Sequence, residues 1–459
     1  MKRAAVVAAS AAVLGLAGWA WTSLKAQPRA HTVAAAAQRE AYDPNRLEQT
    51  IRFYEKNIQR DSQDAIGRAL LAGLYSQRCR ETGDIADATR AEAMARNSLA
   101  IRTRSNMAAY NQLAQSLFTQ HRFPESLALT QKIVKADPSG ASAQSLLVEL
   151  NTEMGDYKVA AHGMAKLVVN NHDSHTLAMT ARLMELTGNL DGALAQIQTA
   201  RTLADANLEM SADANAWYHM REGNMLGALG RADEAKKAYL AAVAVFPNDY
   251  RSMTFLTRLC AGQGNYTEAI QWGTRSAAIV PTPETLALLG DAYGASGDAR
   301  QAKVQYAMVD AAGRIARAQG GVYDRQRAVY CADHHVHLAE AVQIARHELT
   351  IRHDVFAYDT LAWVSYQAGD LRSASAAMAK ALAWRTQDAQ MQYHAGMIAQ
   401  ALGDRDGARA HLAKALALNP YWNPFAPKQA RLALAKLNAP GASAVQFPIS
   451  TQNPPKLRS

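Results

Sequence analysis

From Val355 to Trp422 the apolar and small positions recur with a period of 34. The segment VFAYDTLAWVSYQAGDLRSASAAMAKALAWRTQD (Val355 to Asp388) lies without a gap over AQMQYHAGMIAQALGDRDGARAHLAKALALNPYW (Ala389 to Trp422). Ala362 falls over Gly396, Gly369 over Gly403, Ala374 over Ala408, Met378 over Leu412 and Ala381 over Ala415. Each unit reads as an apolar helix, a Gly-Asp turn and an Ala-rich helix. Small residues at fixed places, rather than apolar residues in general, carry the signal. They are needed where two helices cross closely, while the turn glycine allows a left-handed backbone between the helices.

The same pattern runs back towards the N-terminus. Asp43-Pro44 opens a helix that buries Leu47, Ile51, Tyr54 and Ile58 on one face. It reads as a half-unit capping an array. Units with turns at Gly83-Asp84, Gly155-Asp156, Gly188-Asn189, Gly230, Gly264-Asn265 and Gly297-Asp298 follow. HRFPES replaces the turn in the unit starting at Met107, and the stretch Leu203 to Asn215 is an insertion. After Asp298 a long second helix runs to about Gln319, Gly320-Gly321 breaks it, and a degenerate unit spans Tyr323 to Asp354.

This pattern resembles the tetratricopeptide repeat, over about Asp43 to Leu437. From YCADHHVHLAEAVQIARHELTIRHDVFAYDTLAWVSYQAGD onward it is similar to a subgroup of exported bacterial repeat proteins, a resemblance that brings no catalytic activity with it. The fold expected is all-α: an α-solenoid of nine to ten stacked helix-turn-helix repeats, each packing only on its neighbours. Residues 43–422 form the array, 423–437 a capping helix and 438–459 a Pro-rich disordered tail.

Composition changes the picture only at the edges. A net charge of +9 over 459 residues, with no block of Lys and Arg interleaved with aromatics, argues against nucleic-acid binding. Cys79, Cys260 and Cys331 lie far apart and form no disulfide framework. Residues 1–26, with Lys2 and Arg3 ahead of an uncharged run from Ala4 to Trp21, read as an export signal ending at Ala26 or as a retained anchor. In the second case residues 4–22 tether the chain to a membrane. Residues 27–42 form a linker. Either way the array lies across the membrane from the cytoplasm, in the periplasm or secreted, or anchored to the inner membrane.

Candidate chemistry is sparse. Cys331, Asp333, His334, His335 and His337 are metal-ligand types without a recognised spacing, and they make a metal- or small-ligand-binding module an alternative. No nucleophile motif and no Walker lysine occur, so no catalytic residue, metal or cofactor is assigned. The repeat resemblance implies a concave groove lined by first helices and filled by a protein or peptide partner. Helical spacing brings Trp217, Arg221, Asn224, Arg251 and Arg258 to that face, and further on Trp363, Tyr366 and Tyr393. The arginines would grip a carboxylate and the aromatics anchor the chain.

Overall fold

The computed structural model describes residues 42–318 and 324–439, and within them the chain is all helix. Helix α1 (Pro44–Arg60) precedes ten helix pairs. In chain order these are α2 (Ala65–Thr82) with α3 (Ile85–Ile101), α4 (Met107–Thr119) with α5 (Phe123–Ala136), and α6 (Ala141–Met154) with α7 (Tyr157–Asn170). Then come α8 (Ser174–Leu186) with α9 (Leu190–Ala206), α10 (Ala212–Ala228) with α11 (Ala232–Val245), and α12 (Tyr250–Gly262) with α13 (Tyr266–Ile279). The last four are α14 (Pro283–Ala295) with α15 (Ala299–Ala318), α16 (Asp324–Asp333) with α17 (Leu338–Glu348), α18 (Val355–Gln367) with α19 (Leu371–Ala381), and α20 (Ala389–Ala401) with α21 (Arg405–Leu418). We number these pairs as repeats 1 to 10. Helix α22 (Ala426–Asn438) closes the C-terminal end, starting three residues later than its apolar pattern suggests.

Local sequence explains each pair. Asp43, Asp64, Asp173, Asp354, Asp388 and Asp404 each take a backbone N–H of the first helical turn on their side chains. Where HRFPES replaces the turn glycine, His121 adopts the left-handed conformation at φ 57° and stacks on Phe123 at 5.2 Å, so the register of repeat 2 is kept. His335 at φ 54° does the same in the degenerate repeat 8. The small residues sit at helix crossings. A Cβ at Gly396 would stand 2.6 Å from Leu412 Cγ, and Ala408 and Ala415 are fully buried.

Sequence reasoning expected each repeat to touch only its neighbours. The structure differs: the solenoid is wound tightly enough for successive turns to meet. The His353 N–H donates to the Met154 carbonyl at 2.9 Å, and the Val355 N–H to the Tyr157 hydroxyl at 3.0 Å. The Thr386 hydroxyl donates to the Leu186 carbonyl at 2.5 Å, and Gln387 Nε2 to the Gly188 carbonyl at 3.2 Å. Gly83 lies against Val280, and Gly230 against the Leu418 carbonyl. In each case the turn of one repeat meets the end of the repeat five further on. Gly264, Gly297 and Gly403, whose repeats have no such successor, face open space.

Candidate functional site

First helices of consecutive repeats converge on one space. Phe118 on α4, Glu149 and Glu153 on α6, Arg182 on α8, Trp217 and Arg221 on α10, Arg251 and Phe255 on α12, Glu284 on α14 and Gln326 on α16 all line a single cavity of about 570 Å³. Seven repeats therefore wrap around it, and it is the lumen of the superhelix. The register is visible in the numbering. Glu149, Arg182, Asn224 and Arg258 each stand six residues ahead of a turn glycine, Gly155, Gly188, Gly230 and Gly264. Residues three or four further back, such as Met179, Arg221 and Phe255, share the same helix face.

A second cavity of about 210 Å³ continues between this wall and the last repeats. Arg221, Asn224 and Arg258 line it on one side, and Asp388, Tyr421 and Trp422 on the other.

The structure brings Trp217, Arg221, Asn224 and Arg251 together on the lumen wall, with Arg258 on the adjoining cavity. The arginines, however, already have partners. Arg221 Nη2 lies 2.7 Å from Glu185 Oε2, and Arg182 Nη1 lies 2.9 Å from the same atom. Burial would raise the Glu185 carboxyl, but these two guanidinium groups hold it down to about 2. Arg251 faces Asp249 at 3.3 Å, and Arg258 pairs with Glu284 on the next repeat. Asn224 accepts a hydrogen bond from Tyr239 at 3.0 Å.

Trp363, Tyr366 and Tyr393 are placed elsewhere. Trp363 and Tyr393 are each 4% exposed in the core of repeats 8 to 10, and neither lines the lumen or the cavity adjoining it. The Trp363 indole donates to Asp333 at 2.7 Å and stacks on His394 and Tyr366, while Tyr393 donates to Gln429 on α22 at 2.6 Å. They fix the C-terminal repeats to one another instead of facing a partner. Tyr366 is half-buried against the same core.

Sequence reasoning missed Glu149, Glu153, Arg182 and Phe255. The signal was present for three of them: Arg182 and Phe255 share the register of Asn224 and Arg221, one repeat away, and Glu149 shares that of Asn224, two repeats away. Glu149 is the odd member. It faces His175 Nε2 at 3.4 Å, and among the described residues no arginine or lysine pairs with it. Enclosure in the lumen pushes its pKa up, and Glu153 adds to the rise against the opposing effect of His175.

The His334 segment does not gather ligands. His334 packs between Tyr306 and Tyr330, at 4.8 and 4.7 Å, and its Nε2 is 3.4 Å from Asp291. His335 and His337 occupy left-handed backbone positions with exposed side chains. Cys331 is buried, and burial pushes its thiol up to about 11. Among the described residues no three His, Cys, Asp or Glu side chains are arranged to hold a metal ion.

Tetratricopeptide-repeat family models match the chain at residues 220–282 and 389–421. The matched stretches fall within repeats 5 and 6 and on repeat 10, and the remaining pairs repeat their turn, crossing and register. The chain thus carries tetratricopeptide repeats, and its helix pairs stack as an α-solenoid. Among solved structures it is similar to the APC/C hetero-tetramer Cut9-Hcn1, with 16% identity and a TM-score of 0.45, over 81% of this chain and 63% of that one. It thus spans less than two thirds of that structure's length. It is also similar to a tetratricopeptide repeat protein from Parabacteroides merdae, with 15% identity and a TM-score of 0.37, over 54% of this chain and 98% of that one. PilW, a type IV pilus biogenesis factor, gives 17% identity and a TM-score of 0.38, over 44% and 91%. Every TM-score is below 0.5, and nothing about partners follows from them. No curated protein matches the chain. Among the described residues no helix is long and apolar enough to cross a membrane, and the proposed tether at residues 4–22 lies outside them.

Proposed function

We propose that the chain is a non-catalytic scaffold that holds an extended segment of a partner protein in the lumen of its repeats. The observation that carries this reading is the convergence of seven first helices on one cavity with mixed walls. Phe118, Met179, Met220, Trp217 and Phe255 supply apolar surface, and Glu149, Arg182 and Arg221 supply polar groups that fix orientation. A volume of about 570 Å³ suits a few residues of extended chain and not a docked helix bundle. The basic start and uncharged run of residues 1–26 support a place outside the cytoplasm, in assembly of an envelope complex or secreted product.

The test is site-specific photocrosslinking in the cell of origin. A benzophenone amino acid at Trp217 should trap one discrete partner, mapped by mass spectrometry to a short segment. The same group at Leu240, exposed on the second helix of repeat 5, should not. Equal trapping from both places would put the partner on the outer face. N-terminal sequencing of the mature chain settles the export reading: a start after Ala26 means a removed signal, and an intact Met1 a retained anchor.

A further inference from the structure

We propose that the luminal segment is basic: a lysine or arginine side chain of the partner docks on Glu149, beside the apolar wall of Phe118, Met179 and Trp217. This rests on the luminal reading above, and it reverses the polarity that sequence reasoning gave the groove. Arginines alone pointed to a carboxylate ligand. In the structure each arginine on the wall is matched by a carboxylate of the protein: Arg182 and Arg221 by Glu185, Arg251 by Asp249, and Arg258 by Glu284. An incoming carboxylate would have to displace a charge-assisted pair to gain one.

The carboxylates are not matched in the same way. Glu153 lies 3.7 Å from Arg352, which also serves Glu348 and Asp354. Among the described residues no lysine or arginine side chain lies within pairing distance of Glu149, only the imidazole of His175. Its side chain is 27% exposed and lines the cavity. A carboxylate held in an enclosed, partly apolar space without a counter-charge loses hydration and gains nothing in return. An ammonium or guanidinium group brought by the partner supplies the missing charge, and the aliphatic stem of a lysine or arginine can lie along the neighbouring apolar side chains.

Isothermal titration calorimetry on the full chain separates this proposal from the reading beneath it. The probes are three twelve-residue peptides of Ala, Leu, Asn and Gln that differ only at the central position, as Lys, Glu or norleucine. The Lys peptide should bind tightest, and Glu149→Gln should weaken it about tenfold or more and remove most of its advantage over the norleucine peptide. Preference for the Glu peptide, or an equal loss for all three in Glu149→Gln, would sink the basic-segment proposal and leave luminal binding standing, provided that Trp217→Ala weakens all three. Absence of binding by every peptide would sink both. Binding of free spermidine with no peptide bound would also sink both, making the occupant a small cation.

Discussion

Arg258 and Trp363 hold the same place in their repeats, six residues ahead of the turn glycines Gly264 and Gly369, and meet opposite fates. Arg258 stands at the wall of an open cavity, half-exposed, with an ion pair to the next repeat. Trp363 is packed shut among Asp333, Tyr366, Tyr393 and His394. The helix geometry is common to both. What differs is what fills the space in front of the face. In repeats 3 to 6 that position holds Glu149, Arg182, Asn224 and Arg258, and a lumen stays open in front of it. In repeats 8 to 10 large rings fill it, and α22 covers what remains through Gln429. A register position in a repeat protein therefore fixes direction, not function.

The sharpest break of this comparison is to truncate one tryptophan from each region. Trp363→Ala removes a large buried ring with its hydrogen bond and should cost about 3–5 kcal/mol. Trp217→Ala removes a half-exposed ring from the lumen wall and should cost about 1 kcal/mol or less, while reducing partner retention. Urea denaturation read by circular dichroism compares the two. Similar losses would mean that the lumen wall is as much core as the C-terminal repeats.

The helix pairs were legible in the sequence because they rest on local rules: caps at Asp43, Asp64 and Asp388, turn glycines, and Ala at crossings such as Ala408. Even the missing turn glycine at His121 was a local matter, solved by a left-handed histidine. Five of the eight expected site residues were legible for the same reason, since periodicity fixes a face. The rest was not. Periodicity does not say whether a face meets solvent or a neighbour's aromatics, so Trp363 and Tyr393 were set beside Trp217. Nor does it reveal that Glu185, one repeat before Arg221, has already neutralised that arginine. The contacts between repeats five apart depend on superhelical pitch, which sums small rotations over many units and leaves no mark on any one of them.

Those contacts distinguish turns that touch from turns that stand free. Gly188 has φ +84° and lies against the Arg385 carbonyl, whereas Gly403 has φ +82° and nothing within 4 Å of an added Cβ. Gly403→Ala carries only the left-handed penalty, about 1–2 kcal/mol, and its loss of hydrogen-exchange protection should stay in repeat 10. Gly188→Ala adds a clash and should cost about 1–3 kcal/mol more. Its loss of protection should appear in repeat 4 and again in repeat 9, far away in sequence. Confinement to repeats 3 to 5 would restore the picture of an array held only by nearest neighbours.

The smallest effect should come from the ion pair that joins the lumen wall of repeat 6 to repeat 7. Arg258 and Glu284 are 34% and 27% exposed, so water and salt screen much of their attraction. Holding two long side chains in one geometry also costs rotamer freedom. A double-mutant cycle with Arg258→Gln and Glu284→Gln should return a coupling of about 0.2–1 kcal/mol, shrinking as salt rises. Arg327 marks the opposite case. It is 5% exposed and reaches Asp310 at 2.9 Å and Glu340 at 3.0 Å, so the same cycle on Arg327 and Glu340 should return more and respond less to salt. The difference has a functional side. A half-exposed pair on the lumen wall can shift its geometry with an incoming segment while staying paired, and a buried one cannot. If the Arg258 and Glu284 cycle returned as much as the Arg327 and Glu340 cycle, the wall would be as rigid as the core, and the lumen would admit only a segment that fits it unchanged.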